Sequence, residues 1–345
     1  MTDELGFLDR VAARVERVIA EGRDNYGDLD DELDGLFGRL SALSANRGKG
    51  VRADAARLGW LAAGGAPGAA TPVNIGAAFE LLHLSALVHD DLIDGSSSRR
   101  GVPTVHVEAT DRHRTGGLAG SSEHYATGSA VLTGNILAAL AQSALGEVND
   151  AARREWTQVQ LEVNLGQHLD LMAAADRAVD EDRIHAVMRL KTATYTFARP
   201  LRTGAAATGS ADTWMMESLG VFGYLVGMAF QIRDDILGVF GDESVTGKPA
   251  GDDLREGKAT LLLAMSASRP ENVESGVFAR VGSPDLTAAE IERMRSTMEA
   301  DGTLRWAEEE AQRYVDKAFD QLGRWSGDLR GALEDLARSA VERRH

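Results

Sequence analysis

The sequence predicts an all-α fold, and three observations carry that expectation. Alanine and leucine dominate the 345 residues, only seven are proline, and apolar residues recur three or four positions apart through most long segments. No repeat with a period of 20 to 50 residues occurs, which excludes a solenoid. The chain is expected to form one domain over residues 1–345, its breaks being loops inside that domain.

The elements follow in order along the chain. The opening MTDELGFLDRVAARVERVIAEG carries acids and arginines throughout, so it has no apolar run of signal-peptide or membrane-spanning length. GGAPGAATP, near residues 64–72, is a break. The helical stretch NIGAAFELLHLSALVHDDLID follows, ended by Gly95 and three serines. HRTGGLAGSSEH, near 113–124, breaks the pattern again before the helical VLTGNILAALAQSALGEV. Further on, Gly220, Gly223, Gly227, Gln231, Asp234 and Gly238 succeed one another at intervals of three or four, a smooth helical face with polar groups at one end. Opposed to the first acidic helix, that face is expected to line a narrow apolar shaft with carboxylates at its mouth. GDESVTGKPAGDD, from 241 to 253, is a third loop. In SPDLTAAEIERM, Thr287 and Glu290 have capping-box spacing and start another amphipathic helix.

Composition narrows the function classes. With 43% hydrophobic residues the chain can bury a substantial core, and without cysteine it relies on no disulfide, which fits a reducing cytoplasm. A formal charge of −16 argues against nucleic acid as a partner, because phosphate backbones select basic surfaces. Local clusters of arginine and lysine still leave room for a small phosphorylated ligand.

Two acidic stretches, ALVHDDLIDGSSS and FQIRDDILGVFGD, repeat one pattern about 140 positions apart. On a helix Asp90 and Asp94 project from one face, while Asp91 points about a quarter-turn away. Three carboxylates at the negative end of a helix repel one another and meet its dipole unfavourably, at about 0.3–1 kcal/mol for each exposed charge. A divalent cation reverses that penalty. Hard oxygen donors without a histidine or cysteine cluster point to Mg2+, which shares its shell with water and phosphate. Either pair taken alone also reads as a solvated helix end. His89 beside Asp90 raises a metal-dependent phosphohydrolase, but no other histidines stand at ligand spacing.

Basic residues come in separate sets: Lys49 and Arg52 in RGKGVR, Arg99 and Arg100 in SSSRRGVPT, Lys191 in RLKTATY, and Lys248 and Lys258 in TGKPAGDDLREGK. Arginine forks and lysine point charges suit diphosphate oxygens. Any one set alone reads more readily as an ordinary surface patch.

Together these segments resemble the trans-type polyprenyl (isoprenyl) diphosphate synthase family. GKGVR, ELLHLSALVHDDLID with RRG, GQHLDL, KTATY and FQIRDDILGVFGD followed by GKPAGDDLREGKAT appear in the family's order, and the resemblance spans residues 45 to 262. It implies an all-α bundle of the isoprenoid-synthase type around a deep central cavity, as a homodimer. The implied reaction is the Mg2+-dependent 1′-4 condensation of isopentenyl diphosphate with an allylic diphosphate.

By motif position, Asp90 and Asp94 would bind two Mg2+ ions and Asp234 a third, with Asp91 and Asp235 supporting that shell. Arg99, Lys191, Lys248 and Lys258 would hold the allylic diphosphate, and Lys49, Arg52, His83 and Arg100 isopentenyl diphosphate. Thr192 and Gln231 would lie near the carbocation. By residue type alone His83 reads as a core histidine; the match at ELLH makes it a ligand.

The sequence departs from the pattern at Arg47-Gly48-Lys49-Gly50, at Ala53 in place of proline, and at Gly134-Asn135 in place of Gly-Asp. Gly238 replaces the last aspartate of the second acidic motif, so Gly238→Asp is expected to change activity little.

The resemblance also locates product length below the first acidic motif. Ser85 and Ala86 are small and lie roughly 6–8 Å beneath Asp90 at about 1.5 Å per residue. Leu82, then Leu81 and Phe79, are the next candidates for a floor. Geranylgeranyl diphosphate (C20) is the expected product, with C25 or longer as the alternative. A terpene cyclase lacks support because no Asn/Ser/Glu metal triad is present, and a non-catalytic partner subunit is expected to have lost acids or lysines that this chain keeps.

Overall fold

Asp30, Ser121, Asp180, Thr260 and Thr287 each start a helix by accepting an otherwise unpaired N–H of its first turn. The computed structural model describes residues 4–46, 48–176, 180–241, 251–283 and 285–342. The chain divides into two compact units: Met1–Glu155 with Pro200–Met216, and Trp156–Arg199 with Glu217–His345.

The first unit opens with α1 (Glu4–Tyr26) and α2 (Asp31–Ala45). Asp30 starts α2 by accepting from Glu32 N at 2.8 Å, and three acids in the first turn complement the helix dipole. α3 (Val51–Ala62) and α4 (Thr71–Asp94) follow, α4 with proline in its first turn. Ile75, Ala77, Ala78, Phe79 and Leu81 of α4 are fully buried. At about 1.5–3 kcal/mol for each large apolar side chain, that burial fixes the helix which carries the first acidic motif.

α4 ends as the sequence predicts. Gly95 takes a left-handed φ of 68° and donates its N–H to Asp91 O. The all-α expectation holds except for what comes next, where β1 (Ser98–Arg99) and β2 (Val102–Pro103) pair antiparallel. The turn between them is Arg100-Gly101, with φ of 52° and 77°. Two consecutive positive φ values are what a tight two-residue hairpin requires, and a helical reading of the sequence overlooks it. Arg100 is the one non-glycine residue with positive φ among the described residues.

α5 (Val105–Thr115) and α6 (Ser122–Leu145) enclose the predicted break near 113–124, and Ser121 caps α6 by accepting from His124 N. α7 (Asp150–Asp176) comes next. In the second unit α8 (Glu181–Val187) runs into a π-helix, Met188–Ala198; α9 (Arg199–Ala207) belongs from Pro200 on to the first unit, and α10 (Thr213–Phe240) belongs from Glu217 on to the second. α11 (Asp252–Glu256), α12 (Leu261–Ala267), α13 (Pro270–Ser275), α14 (Ala288–Ala300), α15 (Thr303–Gln321) and α16 (Gly327–Val341) complete it. The capping box of Thr287 and Glu290 is formed at the start of α14. One core of this unit joins Met188 and Ala193 of the π-helix to Met228, Ile232 and Ile236 of α10 and to Leu261 and Leu262 of α12.

No membrane-crossing segment was expected, and by length and composition that expectation needs correction. α4, α6 and α10 each reach a mean hydropathy of 1.3 over an 18-residue window. Their windows are 61%, 39% and 61% buried within the protein, so the apolar surface of α4 and α10 is largely used by internal packing.

Candidate active site

Each unit carries one acidic motif and its own counter-charges. In the first, Asp94 at the end of α4 is exposed, Asp90 half-buried and Asp91 buried. Arg99, brought back by the hairpin, donates Nε to Asp91 Oδ1 at 2.7 Å and reaches Asp90 Oδ2 with Nη2 at 3.3 Å. Burial disfavours the Arg99 cation, but the hydrogen bond to Asp91 and the charges of Asp91, Asp90 and Asp94 outweigh it and raise its pKa. Arg99, expected as a diphosphate ligand, is thus seated on the carboxylates.

The second cluster of this unit surrounds a cavity of about 80 Å3 lined by apolar α1 residues Leu8, Val11 and Ala12, by Glu80 and His83 of α4, and by Arg100. Arg100 Nη1 donates to Asn46 O at 2.7 Å. Arg52 is half-buried and Lys49 exposed. His83 is held well below the usual histidine range, first by burial and then by Arg52, Arg100 and Arg99. It is therefore neutral near pH 7 and offers the cavity a hydrogen bond, not a charge.

Glu80 escaped the sequence reading although it stands three residues before His83. Burial raises its pKa, against the pull of Arg52, Arg100 and a hydrogen bond from the Ala53 backbone. That bond gives the departure at Ala53 a physical sense: α3 starts on Gly50 with no side-chain cap, Glu80 takes one of its first N–H groups, and a proline at 53 has none to give. His89, the other histidine of the motif, has a packing role. Its ring lies over Gly134 of α6, where a Cβ would come within 2.1 Å of Nε2.

In the second unit, Asp234 is exposed and Asp235 buried at the end of α10. Gln231, one turn earlier, donates Nε2 to Asp235 Oδ1 at 2.7 Å and accepts from the Thr192 hydroxyl. Thr192 and Lys191 lie on the π-helix, and Lys191 Nζ donates to Asp170 Oδ2 of α7 at 2.6 Å. Lys258 Nζ lies 3.9 Å from Asp253 Oδ2. Asp253 foremost, then Asp235, Asp234 and Asp170, raise Lys258 well above its ordinary value despite burial. Burial pushes Asp235 up to about 7, with Lys258 opposing and Asp253 reinforcing. Neither Asp170 nor Asp253 was singled out in the sequence; Asp170 belongs to GQHLDL and Asp253 to GDDLREGK. Lys248 and Arg47 lie outside the described residues.

The glycine face of α10 differs from the expectation. A Cβ on Gly223 would lie 2.5 Å from Ala198 Cα, and one on Gly227 would lie 2.3 Å from Ala193 Cα. From α7, a Cβ on Gly166 would lie 2.5 Å from Lys191 N. These glycines do not line an empty shaft. They admit the backbone of the π-helix and so fix Lys191 and Thr192 between α7 and α10. On α4 the proposed length-setting Ser85 and Leu82 are buried, Leu81 and Phe79 fully so, and Ala86 is half-buried.

The donor set of both motifs is carboxylate oxygen, which suits a hard dication. Among the described residues no three acidic or imidazole groups already converge on one point. A Mg2+ site that completes its shell with phosphate and water needs no such preformed cage.

The polyprenyl synthetase family model matches residues 37–293. A geranylfarnesyl diphosphate synthase of Aeropyrum pernix is 33% identical over 275 residues, covering 76% of this chain and 78% of its own. Heptaprenyl diphosphate synthase component 2 of Geobacillus stearothermophilus is 32% identical over 76% of this chain and 77% of its own. Among solved structures, a geranylgeranyl pyrophosphate synthase from Corynebacterium glutamicum, complexed with isoprenyl diphosphate and magnesium, superposes with a TM-score of 0.91 at 31% identity. The superposition covers 98% of this chain and 99% of that one.

Proposed function

The chain belongs to the polyprenyl synthetase family and is a trans-prenyl diphosphate synthase, and from that premise we propose that it condenses isopentenyl diphosphate with an allylic diphosphate to give geranylgeranyl diphosphate. The observation that carries the reading is the pairing, in each unit, of an acidic motif with a cation from a neighbouring element: Arg99 on Asp90 and Asp91 in the first, and Lys258 beside Asp253 and under the charges of Asp235 and Asp234 in the second. One family match spans both units, which supports a single catalytic domain.

Asp90 and Asp94 would hold two Mg2+ ions and Asp234 a third. Mg2+ held there would supply charge neutralisation to the allylic diphosphate as leaving group. Asp91 keeps Arg99 beside the first carboxylates, and Asp235 keeps Gln231 oriented toward Thr192. Lys191 and Lys258, Lys248 outside the described residues, and Arg99 are the cations assigned to the allylic diphosphate. Lys191 is already held by Asp170 and Lys258 lies beside Asp253, so charge developing on a diphosphate they bind would meet them with little reorganisation. Thr192 and Gln231 then present uncharged oxygens to the allylic cation. The released diphosphate takes the final proton.

Lys49, Arg52, Arg100 and neutral His83 would hold isopentenyl diphosphate, with Leu8, Val11 and Ala12 against its five-carbon tail. Small Ser85 and Ala86 favour a product longer than farnesyl, and Leu82 sets the floor. The similarity to a geranylfarnesyl synthase favours C25 as the second reading. The proposal includes a cytoplasmic homodimer; exposed Val131 and Leu132 on α6 support association.

Purified protein incubated with Mg2+, labelled isopentenyl diphosphate and C5, C10 or C15 primers is expected to yield a C20 diphosphate. A C25 or longer product selects the second reading. No incorporation with any primer overturns both.

A further inference from the structure

Position 238 is glycine where the first acidic motif carries Asp94, yet the space beside it is occupied by a carboxylate from another element. A Cβ on Gly238 would lie 2.1 Å from Asp253 Oδ2 and 2.4 Å from its Cγ. Asp253, in α11, is 8% exposed, and its Oδ2 is 3.9 Å from Lys258 Nζ. We propose that Asp253 supplies the third carboxylate of the second acidic motif, in place of the side chain that Gly238 lacks, and acts as a positioning residue that holds Lys258 for the diphosphate.

The argument is steric first. As placed, Asp253 leaves no room for even a methyl group at 238, so an aspartate there displaces it and adds a like charge beside it. Glycine at 238 and aspartate at 253 therefore form one device, and the second motif is complete in space although it is interrupted in sequence. Asp253 is also the largest influence keeping Lys258 protonated, and it acts on Asp235 as well. Removing its charge loosens the lysine and leaves only the weaker influences of Asp235, Asp234 and Asp170.

The inference rests on the prenyltransferase reading, so its test uses two readouts. Asp253→Asn, Gly238→Asp and the double variant Gly238→Asp/Asp253→Ala are compared with the full-length enzyme. One readout is affinity for inorganic pyrophosphate with Mg2+, followed by the rise in thermal unfolding midpoint; the other is kcat/KM for prenyl transfer. Asp253→Asn, which keeps the shape and removes the charge, is expected to weaken both by about 10–100-fold. Gly238→Asp alone, of which the sequence predicted little effect, is now expected to weaken both because Asp253 fills the space beside it. The double variant is expected to recover at least tenfold over Asp253→Asn. Wild-type behaviour in Asp253→Asn, or a double variant no better than Asp253→Asn, overturns the proposal. Should the double variant not fold, Asp253→Asn decides by itself. A wild-type enzyme that transfers no prenyl group defeats the functional reading, while the pyrophosphate series still decides the role of Asp253.

Discussion

The two acidic motifs look alike as sequence and are built differently. At the end of α4 three aspartates come from one helix, and one arginine from the adjoining hairpin is seated on them. At the end of α10 the helix contributes Asp234 and Asp235, while Asp170 comes from α7, Asp253 from α11, and the cations Lys191 and Lys258 from two further segments. The first is a local device whose geometry follows from helical spacing. The second is assembled by tertiary packing, so more substitutions, farther away in sequence, can disturb it.

The largest expected effect falls on the local device. Asp90→Ala removes one of the two proposed metal ligands on α4, and prenyl transfer should drop by about a thousandfold or more in a labelled-isopentenyl assay. Activity within tenfold of wild type would remove Asp90 from the ligand set. Next comes the assembled device. Gln231→Leu breaks the hydrogen bonds from Thr192 and to Asp235, which leaves a buried carboxyl without its amide donor. A loss of about 10–100-fold in kcat, with little change in the KM for isopentenyl diphosphate, would sharpen the contrast between the two motifs. An equal change in both constants would blur it.

A subtler effect belongs to Ser85, buried five residues before Asp90. Ser85→Phe is expected to shorten the product, read by chromatography of the dephosphorylated alcohols, and an unchanged product would place the length-setting surface elsewhere. The smallest effect lies outside both motifs. Glu290 is lowered to about 2, first by the Thr287 hydroxyl and backbone and then by Arg280. A carboxylate depressed in the folded state contributes stability above its unfolded value near 4.5 and loses it as pH falls toward 2. Glu290→Gln should lower the unfolding midpoint slightly at pH 7, with the difference narrowing between pH 4.5 and 2, and should leave prenyl transfer unchanged.

The same contrast explains what could be read from the sequence. Asp90, Asp94, Gln231 and Asp234 follow from intervals of three and four along a helix, and the capping box of Thr287 and Glu290 follows from a fixed local spacing. Glu80, Asp170 and Asp253 are brought to their places by chain contacts no local interval encodes. Arg99 was legible as a cation near the motif, but its seat on Asp91 depends on the Arg100-Gly101 turn. The glycine face of α10 was found correctly as a face, and its occupant was not. A smooth stripe shows that something approaches closely, without saying whether that is substrate or backbone.

The π-helix between α8 and α9 has a consequence for how this chain tolerates change in length. Its wider hydrogen-bonding ring holds more residues per turn than an α-helix needs, so one residue deleted within Met188–Ala198 can be absorbed by closing to α geometry. In an α-helix each residue accounts for a rotation of about 100°, more than in the wider turn, so closing it re-aims the side chains within the stretch while the flanking helices keep their register. Lys191 would no longer face Asp170, nor Thr192 face Gln231, even though the helix stayed intact. The widened turn thus works as a phase adjuster, setting the angular register of the side chains that the glycines on either side lock in place.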